Sequence, residues 1–417
     1  MTTSHRSAAA NAPSSTLWQE LRSLPRSYWI LFLGIFINRI GTFVYPFLTI
    51  TLTRRGFENW QIGLALGGYG IGGLVSTLVG GWFADRFGRK NTIIAGTAMN
   101  AASVLAMAWA GSVTSLLPLS VLAGFSVGFF GPAASALVAD VVPARLHVRA
   151  YAGSRLAANA GFAVGTFLGG LLVNRAPLML FLGDAATTFA YGLLAVFFLP
   201  KGVTASRTEA RWSEAWSTMR GNAAFWALLG AQVCVTLVFA QFSTTYSKEI
   251  LQSHLQVEWL GWRPTAETIF GLLVGWNGLM IVLLEMVLTR FTQRFEPRAV
   301  MSLGHALLGI GFGLNAFCQT FAGFFGAMTL FTLGEMLASP LMSAALANLA
   351  PEKMRGRYLG ALSATWSLGT FIGPQVGFAI YGMNPRLLWF GCAALGLAAA
   401  VVQWRGLSRL KSGRAAC

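Results

Sequence analysis

Long apolar runs alternate with short polar breaks along the chain from about residue 29 onward. A helix needs about 20 mostly apolar residues to cross the hydrocarbon core of a bilayer. On that criterion the pattern predicts twelve membrane-spanning helices, with one longer polar stretch in the middle of the chain. The predicted spans are 29–53, 60–84, 92–112, 115–139, 150–175, 177–199, 223–248, 267–290, 298–319, 322–349, 356–382 and 386–405.

These spans divide the chain into five parts and predict an all-α integral membrane protein. The first apolar run is long enough to span and follows a polar stretch, so we interpret it as an uncleaved first helix. The predicted parts are an amino-terminal tail (1–28), a six-helix bundle (29–199), a linker (200–222), a second six-helix bundle (223–405) and a carboxy-terminal tail (406–417).

The distribution of basic residues predicts the orientation. Cytoplasmic loops of membrane proteins carry an excess of Lys and Arg. If the amino terminus is inside, the cytoplasmic segments hold 22 of these residues and the other side holds six, while Arg39 and Arg155 lie inside spans. We therefore expect both termini to face the cytoplasm of a bacterial inner membrane.

Composition and charge narrow the class of protein. Hydrophobic residues make up 55% of the chain and charged residues 11%, whereas soluble domains carry about 25% charged residues. The net charge of +16 is scattered in short clusters between apolar runs, which suits contact with anionic membrane lipid and not nucleic acid. The four cysteines and four histidines show neither metal-ligand nor catalytic spacing, so we expect no metal, no cofactor and no enzyme activity.

An internal repeat relates the two bundles. At an offset of 208 residues, prolines, an arginine and three glycines of the first bundle fall on identical residues of the second. An even number of helices per repeat returns the chain to its starting side, so the two halves are parallel. The matched pairs are Pro132 with Pro340, Pro143 with Pro351, Arg149 with Arg357, Gly161 with Gly369, Gly165 with Gly373 and Gly169 with Gly377.

The loop between spans 2 and 3 resembles motif A of the major facilitator superfamily. Its glycines, acid and cations are Gly81, Asp85, Arg86, Gly88, Arg89 and Lys90. The resemblance implies a transporter with two parallel six-helix halves, in which Asp85 holds the cytoplasmic gate shut against the start of span 11. Arg149 and Arg357 are the candidate partners of that gate, together with Asp140 at the end of span 4.

Two further motifs are similar to those of the drug/proton antiporter branch, of which the MdtH-like efflux proteins are the nearest type. Span 5 carries Gly161, Gly165 and Gly169 in a GxxxG-like series, with Thr166 where the antiporter motif has proline. Plain helix packing by small residues explains the same series. Arg39 lies near mid-bilayer in span 1, where a charge is costly and marks a functional site by default. Alternatively, Arg39 is a structural residue paired to Asp140.

Proton coupling requires an ionisable group inside the membrane, and three acids lie clearly within spans. Glu335 is deep in span 10, Asp184 lies nearer the outside in span 6, and Glu285 lies nearer the cytoplasm in span 8. We take Glu335 as the first proton-coupling candidate, then Asp184 and Glu285, with Arg39 as a modulator. Each acid could instead be the satisfied partner of a buried Arg or of neighbouring donors.

Aromatic and polar side chains in the spans predict a cavity suited to amphipathic organic molecules. The resemblance implies a monomeric transporter that exchanges protons for a small-molecule substrate by rocking of its two halves. An importer, a peptide or lipid transporter and a uniporter stay open as alternatives on the same fold. The cavity candidates are Asn38, Tyr45, Tyr69, Gln232, Gln241, Trp276, Asn277 and Trp366.

Overall fold

A computed structural model of the chain describes residues 24–143, 146–201, 212–351 and 354–414. Residues 1–23 of the predicted amino-terminal tail and residues 202–211 of the predicted linker lie outside the described residues. So do the surroundings of Gly81 and the side chain of Asp85 in the motif between spans 2 and 3. We call the face that carries Arg26, Lys201 and Arg220 the linker side, and the other face the opposite side.

Fifteen α-helices make up the described chain, and they follow the predicted spans closely. They are α1 Arg26–Ile40, α2 Val44–Arg54, α3 Asn59–Phe87, α4 Arg89–Met107, α5 Val113–Val141, α6 His147–Arg175, α7 Pro177–Phe198, α8 Trp212–Arg220, α9 Ala223–Phe242, α10 Thr245–Gln252, α11 Ala266–Thr292, α12 Pro297–Gly313, α13 Phe321–Leu349, α14 Arg355–Met383 and α15 Pro385–Arg414. The short helix α8 lies within the stretch predicted as a linker, and α15 continues into the predicted carboxy-terminal tail.

Nine segments of the described chain are long and apolar enough to cross a membrane, judged by length and composition. The helices α3, α4 and α14 fall outside that set. Glycine and polar residues lower the mean hydropathy of α4 and α14. Each of the three nevertheless packs along its length against other helices of the bundle. Together the twelve segments build the twelve-helix membrane fold in two six-helix halves.

Span 1 and span 7 are each broken into two helices at corresponding points of the two halves. The first break separates α1 from α2 at residues 41–43, and the second separates α9 from α10 at residues 243–244. Gly41 is required at the first break, because a Cβ there would lie 1.6 Å from the Thr187 hydroxyl of α7. Broken helices inside a transporter expose backbone groups where a substrate or ion can bind.

The helix neighbours within one half have counterparts in the other half, in agreement with the internal repeat. In the first half α1 packs on α6 and α7, and α5 packs on α3 and α4. In the second half α9 packs on α14 and α15, and α13 packs on α11 and α12. The repeated glycines act alike: Gly165 of α6 faces the backbone of α1, and Gly373 of α14 faces Ala240 of α9.

The apolar core is shared between the halves on one side only. The largest cluster of buried residues, on the opposite side, contains Phe47 of the first half together with Phe270 and Trp389 of the second. On the linker side the buried residues form two separate clusters, one in each half. Tyr28 and Leu137 belong to the first of these, and Phe225 and Tyr358 belong to the second. The halves are therefore joined at the opposite side and separate toward the linker side.

Two pairs of helices form most of the contacts between the halves, and we call them the α6–α11 seam and the α3–α14 seam. Along the α6–α11 seam, close contacts extend from Gly170 against Gly271 to Asn159 against Gly278. Along the α3–α14 seam, Gly63, Gly67, Gly70 and Gly73 face residues 367–378 of α14. Further toward the linker side, Val79 of α3 and Leu359 of α14 are exposed.

Candidate functional site

A central cavity of about 570 Å³ lies between the two halves. It begins beside the breaks in span 1 and span 7 and extends toward the linker side as far as Gly131 of α5 and Ser363 of α14. The lining includes one basic and two acidic side chains: Arg39, Asp184 and Glu335. The cavity therefore brings together charged side chains from both halves inside the membrane-spanning part of the fold.

Asp184 lies on α7 and holds the break in span 1. Its carboxylate Oδ2 accepts a hydrogen bond of 3.1 Å from the backbone N–H of Val44, the first residue of α2. The free N–H groups at a helix start carry a partial positive charge that favours an anion there. One turn along α7, the Thr188 hydroxyl accepts a 2.9 Å bond from Asn38 of α1. Asp184 and its neighbours thus fix the part of α1 that carries Arg39.

Arg39 is exposed to the cavity at the end of α1. It interacts electrostatically with Asp184 and Tyr191 of α7. Asp140, the partner that the sequence suggested as an alternative, instead forms an ion pair with Arg89. The charge of Arg39 therefore belongs to the cavity and not to the linker-side end of α5.

Glu335 lies on α13 in the second half and meets Asn277 of α11. The Asn277 amide donates a 2.9 Å hydrogen bond to Glu335 Oε2 and a 3.0 Å bond to the Thr332 hydroxyl. A neutral amide is a weaker counterpart for a carboxylate than an ion pair is. Glu335 also interacts electrostatically with Arg155 and Glu285, which lie further toward the linker side.

Five of the eight predicted cavity residues lie in the lining: Asn38, Tyr45, Tyr69, Asn277 and Trp366. The Tyr45 and Tyr69 rings contact each other edge to face at 5.0 Å, and the Trp366 ring contacts Phe239 at the same distance. The cavity thus has an aromatic wall in each half.

The other three predicted residues lie outside the lining, and two of them hydrogen-bond to neighbouring helices. Gln241 donates to the Gly373 carbonyl of α14 and accepts from Thr245. Trp276 donates from its indole nitrogen to Thr329. Gln232 is buried within α9.

A polar cluster closes the opposite side of the cavity, and we call its members Arg54, Asn174 and Glu267 the Glu267 cluster. Glu267 begins α11 in the second half, and only 7% of its side chain is exposed. It forms an ion pair with Arg54 of α2 and accepts a 2.7 Å bond from Asn174 of α6. Both donors belong to the first half, so the cluster ties the two halves together.

A second ion pair joins the halves nearer the linker side. Arg155 of α6 pairs with Glu285 of α11, and both residues lie on the α6–α11 seam. Glu285, a proton-coupling candidate from the sequence, is thus separated from the cavity lining and bound to a cation of the other half. The α6–α11 seam therefore carries ionic contacts near both of its ends.

The described part of the motif between spans 2 and 3 makes contacts within the first half. Gly88 has a φ of +88°, which suits glycine and allows the tight turn from α3 to α4. Arg89 donates to the Ala136 carbonyl at 2.6 Å as well as pairing with Asp140, and Lys90 donates to the Val196 carbonyl at 2.8 Å. Arg86 lies 5.8 Å from the ring of Phe87. Of the expected partners on the linker side, Arg149 is exposed and Arg357 is buried.

Comparison with known proteins decides the family. The sequence model of the Major Facilitator Superfamily matches residues 31–262 and 250–415. The chain belongs to this superfamily. It is thus a membrane transporter, in agreement with the twelve helices and the central cavity.

Two relatives and one solved structure illustrate the likeness. A Na(+), Li(+), K(+)/H(+) antiporter of Planococcus maritimus is 29% identical over 406 residues, covering 89% of this chain and 92% of that protein. The multidrug resistance protein MdtH of Aeromonas hydrophila is 26% identical over 378 residues, covering 88% and 92%. A crystal structure of a POT family transporter in complex with 5-aminolevulinic acid superposes with a TM-score of 0.76 at 16% identity, covering 94% of this chain and 99% of that one. These relatives support the drug/proton antiporter branch, and the solved structure supports the fold.

The sequence patterns missed the groups that close the opposite side. Arg54 and Glu267 are 213 residues apart, and each lies at the end of a predicted span, where charged residues are ordinary. Asn174 sits in the same position at the end of span 5. The sequence does not show which residue an isolated polar side chain at the end of a span will contact. These three residues come together only because the two halves pack against each other.

Proposed function

We propose that this transporter exports amphipathic small molecules in exchange for protons by alternating access. The observation that carries the proposal is the placement of Asp184 and Glu335, one from each half, in one cavity that is closed on the opposite side. Placing a carboxyl inside a membrane costs free energy, so its presence there indicates a functional site by default. Each acid can bind a proton or a positively charged substrate, and competition between the two would couple their movements.

The charge of the cavity supports exchange for a positively charged substrate. With both acids ionised and Arg39 positive, these three lining residues carry a net charge of −1. Protonation of one acid makes the sum zero, which weakens the attraction for a cation. Aromatic walls from Tyr45, Tyr69 and Trp366 add apolar surface for the rest of the molecule.

We assign the linker side to the cytoplasm of a bacterial inner membrane, in keeping with the excess of Lys and Arg there. The conformation described is then open to the inside and closed to the outside. On this proposal substrate enters from the cytoplasm, and protons enter from the outside when the opposite side of the cavity opens. Asp85 with Arg149 and Arg357 would close the cytoplasmic side in the other conformation.

A second candidate function is exchange of alkali cations for protons. It is favoured by the 29% identical relative, whose name describes a Na(+), Li(+), K(+)/H(+) antiporter. The same two acids would then bind a metal cation in place of an organic one. Hard monovalent cations prefer oxygen ligands, which Asp184, Thr188 and Asn38 supply at the break in span 1.

The test is proton movement in proteoliposomes that contain a pH-sensitive dye. The vesicles are challenged with amphipathic cations, neutral amphipaths, peptides, Na⁺, K⁺ and Li⁺. We expect amphipathic cations to evoke a proton flux opposite to their own, and Glu335→Gln to abolish it, because the amide keeps a hydrogen bond to Asn277 but cannot carry a proton.

The outcomes separate the candidates. Flux evoked by alkali cations alone would replace the first candidate by the second. Proton and substrate movement in the same direction would identify an importer, and substrate movement without protons would identify a uniporter. An unchanged proton flux in Glu335→Gln, with Asp184→Asn inactive, would move the coupling role to Asp184.

A further inference from the structure

The loop between α10 and α11 on the opposite side contains a tight hairpin at residues 259–262. The N–H of Trp259 donates to the Trp262 carbonyl at 2.9 Å, and the N–H of Trp262 donates to the Trp259 carbonyl at 2.8 Å. The two residues between them have φ angles of +50° at Leu260 and +81° at Gly261. Positive φ at both central positions is the geometry of a type I′ turn, which favours Asn, Asp or Gly at each.

Leu260 does not follow that preference, and burial of its side chain in the protein does not offset the strain. A branched side chain in the left-handed region is sterically unfavourable. Yet Leu260, at 109% relative exposure, is the most exposed large apolar residue in the described chain. Strained backbone that persists at an exposed site points to a function for the side chain it displays.

The residues at the base of the hairpin pack against the rest of the protein. Leu255 and Val257 pack against the large apolar core of the opposite side. The Trp259 ring contacts Phe321, the first residue of α13, edge to face at 5.0 Å. These contacts hold the tip in one position, so Leu260 projects from a fixed point and is not on a loose loop.

The hairpin lies at the level where the membrane surface should be. It is seven residues beyond the end of α10 at Gln252 and four before the start of α11 at Ala266. Other exposed aromatic residues share this level at the opposite-side ends of the helices: Trp60, Trp109 and Phe317. Aromatic belts of this kind mark the boundary between hydrocarbon and headgroups.

We propose that residues 259–262 form an anchor in the membrane interface, with Leu260 inserted among the lipid acyl chains of the opposite-side leaflet. Trp262 lies at headgroup level beside it. The ion pair between Arg263 and Glu258, at 2.7 Å, keeps the polar base of the hairpin in the headgroup region. Lipid is the occupant that fits, because one leucine flanked by aromatics is far smaller than a stable protein interface and continues the aromatic belt.

The anchor has a mechanical position in the transporter. On one side of it α10 carries Lys248, which hydrogen-bonds to Asn59 of the first half. On the other side α11 begins with Glu267 of the Glu267 cluster. The membrane surface is thus linked to the two elements of the second half that close the opposite side.

Spin labelling in lipid tests the inference. Leu260→Cys is made in a background where Cys234, Cys318, Cys392 and Cys417 are replaced by serine, labelled with a nitroxide and reconstituted in phosphatidylethanolamine/phosphatidylglycerol vesicles. Gln256→Cys, an exposed position in the same loop, is the matched control. Accessibility to oxygen is compared with accessibility to a water-soluble nickel chelate. We expect the oxygen-to-nickel ratio to be several-fold higher at position 260 than at position 256.

A second measurement keeps the test independent of spin-label mobility. A benzophenone attached at position 260 is photoactivated in the same vesicles and in whole membranes, and its adducts are identified by mass spectrometry. Adducts with lipid acyl chains at position 260, and few at position 256, support the anchor. Equal ratios at the two positions, or adducts in membranes that fall mainly on another protein, would overturn it.

Discussion

The α6–α11 seam and the α3–α14 seam are equivalent by the internal repeat, yet they are built differently. The α6–α11 seam is closely packed over most of its length, and an ionic contact lies near each end, at Glu267 and at Glu285. The α3–α14 seam is packed at its opposite-side half, while its linker-side half exposes apolar side chains such as Val79 and Leu359.

This contrast between the two seams explains how one repeat can produce a hinge and a gate. Ion pairs at both ends of a seam oppose separation of its two helices. Helices that are packed only through glycines can separate and come together again. We infer that the α6–α11 seam stays together as the halves rock, and that the α3–α14 seam opens and closes. Access to the cavity then switches between the two sides of the membrane mainly by movement of α3 relative to α14.

The largest effect should come from Gly70→Ala, which targets the closed half of the α3–α14 seam. A Cβ at Gly70 would lie 2.2 Å from the Phe371 backbone nitrogen and 2.7 Å from the Ser367 carbonyl. Neither atom can move without shifting α14, and overpacking of this kind costs about 1–3 kcal/mol. We expect transport in proteoliposomes to fall by about fivefold to a hundredfold, since 1.4 kcal/mol is a factor of ten in an equilibrium constant.

The control for this variant is Gly360→Ala on the partner helix α14, where an added Cβ would meet no atom within 4 Å. It should transport at the rate of the unaltered protein. Equal losses in the two variants would mean that glycine substitution in α14 or α3 acts on folding in general, and the seam would not be a specific gate.

A smaller effect is expected from Arg54→Gln, which removes the cation from the Glu267 cluster. The nearly buried Glu267 would keep Asn174 as a donor but lose its ion-pair partner. Breaking a buried pair costs 3–5 kcal/mol, and the 42% exposure of Arg54 reduces this to about 1–2 kcal/mol. The opposite side should open more often, so a cysteine placed at Thr370 in the cavity should react faster with a reagent added on that side.

The charge exchange Arg54→Glu with Glu267→Arg sharpens this prediction. It restores the pair with reversed signs and should return the labelling rate toward that of the unaltered protein. If Arg54→Gln leaves the labelling rate unchanged, the Glu267 cluster does not help to close the cavity.

The smallest effect should come from Arg155→Gln, which removes the linker-side ion pair of the α6–α11 seam. Arg155 is 41% exposed, and partly exposed pairs contribute only about 0–1 kcal/mol. Because the Glu267 cluster still binds the other end of the seam, the seam should hold. We expect less than about a threefold change in transport rate, and a loss as large as that of Gly70→Ala would contradict the comparison of the seams.

Apolar periodicity predicted the twelve spans well because each helix must cover the same thickness of lipid. It did not predict the breaks at residues 41–43 and 243–244, since hydropathy runs through both without interruption. Gly41 and Pro46 hint at the first break, but Gly is frequent in every span of this chain.

The candidate site was predicted in part. The chemical cost of charge in a membrane singled out Arg39, Asp184 and Glu335, and all three line the cavity. A neutral polar side chain costs little wherever it points within the bundle, so the sequence does not show whether it faces the cavity. Gln232, Gln241 and Trp276 therefore could not be distinguished from the residues that line it. The ionic contacts between the halves depend on long-range packing, which a single sequence does not reveal.

The most direct test of the hinge and gate is a pair of distances measured by double electron–electron resonance. One pair of labels, at Val79 and Leu359, reports the linker-side end of the α3–α14 seam. The other, at Leu156 and Leu283, reports the same end of the α6–α11 seam, and all four side chains are exposed. When pH and substrate are changed, we predict a shift in the first distance and a constant second distance. Equal shifts in both, or a shift confined to the α6–α11 pair, would contradict the account.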